Sequence, residues 1–384
     1  MAVIEPLFIP QPIALRRTEQ AYSLNDRRLL TLIRDKGPIS RADLARETGL
    51  ALQSVVRLVA HLMERGLVQG GEKVASGPGQ PSLPISLAPD AAFSLGVSIM
   101  DDALSAVLVD LTGRIRTVAA ELFDTTSRDR VASRLAEMLS DMTAKAGIDP
   151  ARLVGVGVAL PGFFVDGGDR INAPVAMEEW ALTDIAQPLG SSLDLPVWIE
   201  NDGGAAAAGE SLYGVGRRHR TFAYLYIGSG LGGGLVMDGR PWRGWRGNSG
   251  EFTGLLPPVM REKRPTLALL LQMLKRRGLD LHGVGDLVRR FDPAWPEIET
   301  WLQETRDATT AILSSAAAVL DPEAIVIGGR IPVDLARRLA AEAGFFTVPV
   351  RGRDRRFPLV LPQETEGDAA AIGAAALPFL HRYF

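Results

Sequence analysis

Asn201, Asp202 and Glu251 have the side-chain types that hold a polyhydroxyl ligand. Each carboxylate accepts two hydroxyl protons in fixed directions, and Asp202 could also take a hydroxyl proton as a general base. Asn201-Asp202 is expected where a strand ends and a helix begins, the place where α/β folds gather ligand contacts. Glu251 lies in the turn-rich stretch GNSGEF. Taken singly, each of these residues reads first as a cap or a surface acid. The stretch GSGLGGG (Gly228 to Gly234) follows one strand-like run and precedes another. A dinucleotide fingerprint needs a helix next, so the loop offers either amides to a phosphate or a tight turn with positive φ. A different chemistry is spelled out near the start, where Gln53, Ser54 and Arg57 share a helical stretch. Gln can pair with adenine in two places, and Arg with guanine or a phosphate.

The elements that position these residues fall into two parts. Residues 1–90 hold 11 Lys/Arg and 9 Asp/Glu, and the remaining 294 hold 31 and 36, so a slightly basic front is joined to an acidic body. The joint, Gly71 to Pro89, is too rich in glycine and proline for a continuous helix. Ahead of it, Asn25 is expected to cap a helix running to Lys36. Ser40 caps a short one over Arg41 to Thr48, and a third runs from about Ala51 to Arg65. Leu67 to Gln69 and Leu83 to Leu87 read as the strands of a hairpin. Helix, turn, helix and hairpin make a winged helix-turn-helix, whose third helix enters the major groove. The amides near Ser40 and Arg41 suit a backbone phosphate. The alternative is a plain helical cap with polar residues facing water.

In the body, strands are expected at Phe93 to Asp110 (two, around a turn at Asp101-Asp102), Leu153 to Leu160, Pro196 to Ile199, Thr221 to Ile227, Leu235 to Met237 and Ala324 to Ile327. Helices are expected at Arg130 to Ala146, Gly203 to Leu212, Ala308 to Leu320 and Gly367 to Leu377. The result is an α/β body in two halves of similar layout. The basic clusters Arg217 to Arg220 and Arg351 to Arg356 read as solvated turns, the latter alternatively as a subunit contact.

Composition narrows the rest. A hydrophobic share of 46% with 23% charged residues excludes wholesale disorder. The net charge of −3 leaves nucleic-acid binding to a local patch. There is no cysteine, and His61, His219, His282 and His381 stand at no metal-ligand spacing. That removes disulfides, thiolate nucleophiles and Cys-based zinc sites. No apolar run approaches the ~18–20 residues of a membrane span. The Pro-broken N-terminus lacks the order of a secretory signal, so the expected compartment is the cytoplasm.

Six motifs in order, LPG (160–162), ENDGGAAAAGE (200–210), GSGLGGG (228–234), GNSGE (247–251), DPEAIVIGG (321–329) and GDAAAIGAA (367–375), resemble the ROK family of repressors and sugar kinases. The front resembles that family's repressor branch, and the likeness spans about residues 24–380. It implies a flexible arm over 1–22, a winged helix-turn-helix over 23–89, and a two-lobed actin-like ATPase (ribonuclease-H-like) body over 90–384. The same likeness places a sugar between the lobes.

The departures matter as much. Kinases of the family carry an Asp-Gly-Gly-Thr loop where this chain has Ser98-Ile99-Met100-Asp101-Asp102, two acids that repel a triphosphate. The retained Asp202 matches the kinase base, but ATP is not an expected cofactor. Gly254 stands where the family has a metal- and sugar-binding His, and no cysteine cluster follows, so no zinc is expected. Ala173-Pro174-Val175 replaces the family's Ala-Pro-Asn. Gly162, Asn201, Asp202 and Glu251 therefore carry over as effector contacts. On the DNA side the contacts are Ser40, Arg41, Gln53, Ser54, Arg57 and the wing-tip Gln80, which replaces an Arg suited to a narrow minor groove.

The expected function is a dimeric or tetrameric repressor of carbohydrate genes that binds an operator in double-stranded DNA and senses a sugar. The alternatives are a sugar kinase with an attached DNA-binding unit and an effector-independent regulator.

Overall fold

Short polar caps decide where the front helices begin. In the computed structural model, which describes residues 22–71, 83–165, 170–353 and 355–384, helix α1 (Leu24–Lys36) starts from a capping box at Ser23. The Ser23 hydroxyl accepts from the Asp26 amide at 3.1 Å, and the Asp26 carboxylate accepts from the Ser23 amide at 3.0 Å. The cap is thus Ser23 rather than Asn25, because only Ser23 has an acid three residues on. Helix α2 (Arg41–Thr48) is capped by Ser40 as expected and ends on Gly49 in the left-handed region. Helix α3 (Leu52–Glu64) buries Val55, Val59 and Leu62. Strands β1 (Val68–Gly70) and β2 (Ile85–Leu87) pair antiparallel as the wing. Gln80 lies outside the described residues.

The first lobe is built from β3 (Phe93–Ile99), β4 (Ala103–Asp110), β5 (Ile115–Leu122), α4 (Arg128–Ala146), β6 (Leu153–Leu160), a two-residue pair β7 (Phe163–Phe164) and β8 (Ile171–Asn172), α5 (Ala186–Leu193), β9 (Val197–Asn201) and α6 (Asp202–Tyr213). Its sheet order is β5-β4-β3-β6-β9, with β3, β4 and β5 antiparallel and β3, β6 and β9 parallel. The second lobe repeats the plan. Its elements are β10 (Phe222–Ile227), β11 (Leu231–Met237), β12 (Arg240–Trp242), α7 (Pro258–Arg261), α8 (Leu267–Arg276), α9 (Val284–Arg289), α10 (Pro296–Leu320), β13 (Ala324–Gly329), α11 (Val333–Ala341), β14 (Leu359–Pro362) and α12 (Ala369–Arg382). The sheet order is β12-β11-β10-β13-β14, with the same alternation of pairings.

Three sequence expectations change. Gly232 to Gly234 belong to β11, opposite Tyr226, Leu225 and Tyr224, so only Gly228 to Gly230 form the turn. A Cβ at Gly233 would lie 2.2 Å from the Tyr224 carbonyl oxygen, so close packing, not a turn, requires glycine there. Helix α10 begins at Pro296, well before Ala308, because Ile298, Trp301, Leu302 and Thr305 bury one face of a charged stretch. Helix α12 continues through Pro378 to Arg382, where Phe379 and Tyr383 are buried.

Helices α6 and α12 cross between the lobes with almost no side chains separating them. A Cβ at Gly373 would come within 1.7 Å of the Ala205 carbonyl oxygen, and one at Gly209 within 3.0 Å of Gly373. The other side of α12 lies on the first lobe's sheet, where a Cβ at Gly96 or Gly157 would meet the Ala371 or Ala374 carbonyl oxygen at 1.9 Å. Beyond this crossing, Phe379 and Tyr383 share one apolar core with Leu29, Leu30, Ile33 and Val59 of the front unit. The Arg27 guanidinium donates to the carbonyls of Leu380 at 2.8 Å and His381 at 2.6 Å, closing the end of α12. Gly373→Ala should destabilise the protein by about 1–3 kcal/mol in urea unfolding, the usual cost of overpacking. Gly230→Ala, in open space, should change stability by less than about 0.5 kcal/mol.

Candidate DNA-binding face and interlobe cleft

The exposed side of α3 carries Gln53, Arg57 and His61, one helical turn apart, while Ser54 is partly buried. No side-chain partner of Arg57 occurs among the described residues. Ser40 and Arg41 stand at the start of α2. The Ser40 hydroxyl is engaged by Asp43, accepting from its amide and donating to its carboxylate at 2.7 Å. The Arg41 guanidinium lies 3.7 Å from the Met63 sulfur. The face therefore brings Gln53 and Arg57 together, and leaves the α2 start to act through its backbone.

In the cleft, Asn201 closes β9 and caps α6. Its Oδ1 accepts from the amides of Gly203 at 2.9 Å and Gly204 at 3.2 Å, and its Nδ2 donates to the Gly162 carbonyl at 2.5 Å. Gly162 has φ +130°, and a Cβ there would lie 2.5 Å from the Asn172 carbonyl oxygen. These two residues are thus joined to each other, and Asn201 positions the α6 terminus. Asp202 is the first residue of α6, with its carboxylate accepting from the Gly203 amide at 2.8 Å. Burial, and then the nearby charges of Glu251 and Asp368, push its pKa up to about 7. At neutral pH it is half protonated, able to donate to or accept from a hydroxyl. Glu251 stands exposed on the adjoining turn, its pKa raised by partial desolvation.

Four residues that sequence reasoning did not single out complete the cleft. Asp368 caps α12, accepting from the amides of Ala370 at 3.0 Å and Ala371 at 3.1 Å, so two helix N-termini converge near Asp202. The buried Tyr226 hydroxyl has no hydrogen-bond partner among the described residues, and burial followed by the charges of Asp202 and Asp368 raises its pKa. Glu200 accepts from the Asn201 amide at 2.9 Å and lies 3.0 Å from the Arg243 guanidinium, which covers the Phe164 ring. Asn248 holds both the amide and the carbonyl of Phe164, at 2.7 and 2.8 Å, and so reaches across the lobes. The advance signal was that Glu200, Asn248 and Asp368 fall inside three of the six ordered motifs.

On the opposite flank, the β3–β4 turn reaches the second lobe. The Asp102 carboxylate accepts from the Arg330 guanidinium at 2.8 Å and the Gly285 amide at 2.7 Å. Asp101 lies 3.6 Å from Arg330 and 3.4 Å from the Ser229 hydroxyl. Burial, and then Asp102, raise the pKa of Asp101. The cation that could neutralise a phosphate is therefore already paired with carboxylates. Gly254 sits where an added Cβ would meet nothing within 4 Å, so there is room for a side chain but none to bind a ligand. Arg218 pairs with Glu364, His219 lies 3.6 Å from Glu323, and Arg220 donates to the Asp238 carbonyl at 2.6 Å. Arg217, Arg218 and Arg220 are exposed, as expected of a solvated turn, and these contacts also tie turns together. In the other, residue 354 lies outside the described residues, and the Arg355 guanidinium covers the Phe357 ring.

Known proteins resemble both parts of the chain. A model of the ROK family matches residues 94–261, and one described as winged helix-turn-helix DNA-binding matches residues 23–69. An uncharacterised protein of Sinorhizobium fredii, y4fQ, is 31% identical over 94% of this chain and 92% of its own length. The xylose repressor of Bacillus subtilis is 28% identical over 60% of this chain and 59% of its own. The DNA-binding transcriptional repressor Mlc of Escherichia coli is 25% identical over 58% and 55%. Among solved structures, a ROK family transcriptional regulator homologous to the E. coli Mlc protein superposes with a TM-score of 0.66 at 21% identity, covering 92% of this chain and 95% of the other. A ROK family glucokinase from Streptomyces griseus gives 0.57 at 23%, covering 74% and 99%, so the two-lobed body has the fold of that sugar kinase. With its six motifs in order, the repeated lobes and a winged helix-turn-helix in front, this chain belongs to the ROK family.

Proposed function

We propose that the protein is a cytoplasmic transcriptional repressor of carbohydrate genes. As a homodimer or homotetramer it reads an operator in double-stranded DNA through Gln53, Ser54 and Arg57, with Ser40, Arg41 and Gln80 on the backbone or minor groove. A sugar or sugar derivative binds between the lobes at Asp202 and Glu251, on a floor set by Asn201 and Gly162. The observation that carries this reading is α12, whose capped start lies beside Asp202 and whose last carbonyls are held by Arg27 of the front unit. The repressor names of the Bacillus subtilis and Escherichia coli relatives support it. A ligand that binds one lobe arrangement more tightly than another shifts the front units by that difference and no more.

The test is operator affinity of the full-length protein, read by fluorescence anisotropy across a panel of sugars, polyols and sugar phosphates. One ligand class should weaken operator binding, and Glu251→Gln should blunt that response while leaving ligand-free affinity unchanged. Demonstrated sugar binding with no change in operator affinity would overturn the reading.

Asp202 also favours a second reading, a residual kinase, since an acid with a pKa of about 7 at a helix start suits a general base. The paired acids at Asp101 and Asp102 oppose it. No sugar-dependent ADP release is expected, and release abolished by Asp202→Asn would establish the kinase.

Two pH dependences follow from the raised pKa of Asp202. The folded state favours its protonated form, so this contribution to stability is complete below the ordinary carboxyl pKa and is lost as pH rises to about 7. Unfolding midpoints of Asp202→Asn should therefore decline less than those of the parent between about pH 4 and pH 7. Ligand hydroxyls need the carboxylate as acceptor, so calorimetric affinity should rise from about pH 6 to pH 8, and Asp202→Asn should remove the rise.

A further inference from the structure

The recognition helix exposes apolar side chains as well as polar ones. On α3, Leu52, Val56 and Ala60 form one exposed row, and Gln53, Arg57 and His61 form the row beside it. Leu52 is 52% exposed and Val56 46%, while Val55, Val59 and Leu62 on the opposite face are fully buried. Among the described residues, none covers the outer row. A branched aliphatic side chain on an exposed helix face gains nothing from water, and Val also has a lower helix propensity than Ala. The row is continuous with Gln53 and Arg57, the side chains that face DNA in the proposed function, and Arg57 is a cation with no partner among the described residues. Both features point to the major groove as the occupant rather than to a second protein. That groove presents one apolar group, the 5-methyl of thymine, beside the acceptors and donors that Arg and Gln read.

We propose that Leu52 and Val56 read thymine methyl groups, so that each half-site places thymines beside the purine met by Arg57 or Gln53. This rests on the DNA-reading function above and adds which bases are read and by which side chains. Sequence reasoning passed over both residues, because apolar positions in a helix are ordinarily assigned to the core.

The test uses a duplex selected by the full-length protein from random-sequence DNA. Each thymine is replaced in turn by deoxyuridine, which removes the methyl and leaves the Watson–Crick edge intact. One or two positions per half-site should lose about fourfold in affinity, the factor for one buried methyl-sized group. In Val56→Ala or Leu52→Ala the loss at the matching position should shrink towards none, whereas Val56→Ile should keep it. Both alanine variants alter exposed positions, and unchanged circular dichroism and unfolding midpoints confirm that they fold. A selected duplex that binds tightly yet ignores every deoxyuridine overturns this inference while leaving the DNA-reading function intact. So does a loss that is the same in the parent and both alanine variants. Failure to select any duplex removes both. A drop in oligomeric mass of the DNA-free alanine variants by sedimentation would assign the row to a second copy of the chain and also overturn the proposal.

Discussion

The structure depends on how closely α6 and α12 approach each other. At Gly373 and Gly209 the two backbones meet where side chains would otherwise stand, and α12 lies equally close to the sheet at Gly96 and Gly157. Such contact is possible only with Gly and Ala, and it explains the small-residue composition of both helices. The same contact brings their N-termini together, so that Asp202 and Asp368 lie within electrostatic reach of one another. A bulkier crossing would separate the capped ends and dissolve the floor of the cleft. Because α12 then runs on into the core of the front unit, the cleft and the DNA-reading helices are attached to one rigid element.

The charges of the cleft follow from its position. Asp101, Asp102, Asp202, Glu200, Glu251 and Asp368 face few cations, and Arg243 and Arg330 are already paired with carboxylates. A neutral polyhydroxyl ligand fits such a site better than an anionic one. It offers hydroxyl donors to carboxylates without bringing a second negative charge into a partly buried space. Desolvation raises the pKa values of Asp101, Asp202 and Glu251, and neighbouring acids add to it at Asp101 and Asp202.

Much of this was legible in the sequence, and the reasons for the exceptions are local. The front helices could be read because their buried residues recur at helical spacing and Ser40 is followed by Asp43. Ser23 was missed because Asn25 is an equally good cap type, although Asp26 three residues after Ser23 already marks a capping box. The strand ends at Asn201 and Ile227 were legible from apolar runs bounded by polar or glycine residues. The role of Gly232 to Gly234 was not, since a glycine needed for close packing looks the same as one needed for a turn. Asp102 and Arg330 are 228 positions apart, and no periodicity links them. The same holds for Asn248 and Phe164, which meet only because the repeated lobes face each other.

The lobes are bridged on both flanks of Asp202, and each bridge includes an Arg–carboxylate pair. One flank holds the Arg330–Asp102 pair, whose side chains are 10% and 26% exposed, with an amide from α9 on the second carboxylate oxygen. The other holds the neutral Asn248–Phe164 bonds and the Glu200–Arg243 pair beside an exposed turn. In a kinase of this fold, a triphosphate and its metal would join the lobes on the first flank for as long as they stay bound. Here the acids of the β3–β4 turn make that join with the chain's own arginine, and it does not come and go with nucleotide. Neutral hydrogen bonds contribute about 0.5–1.5 kcal/mol each and charge-assisted ones about 1.5–3. An ion pair thus ties each flank, and the Asn248 side, where Glu251 stands at the mouth, adds two neutral bonds to it.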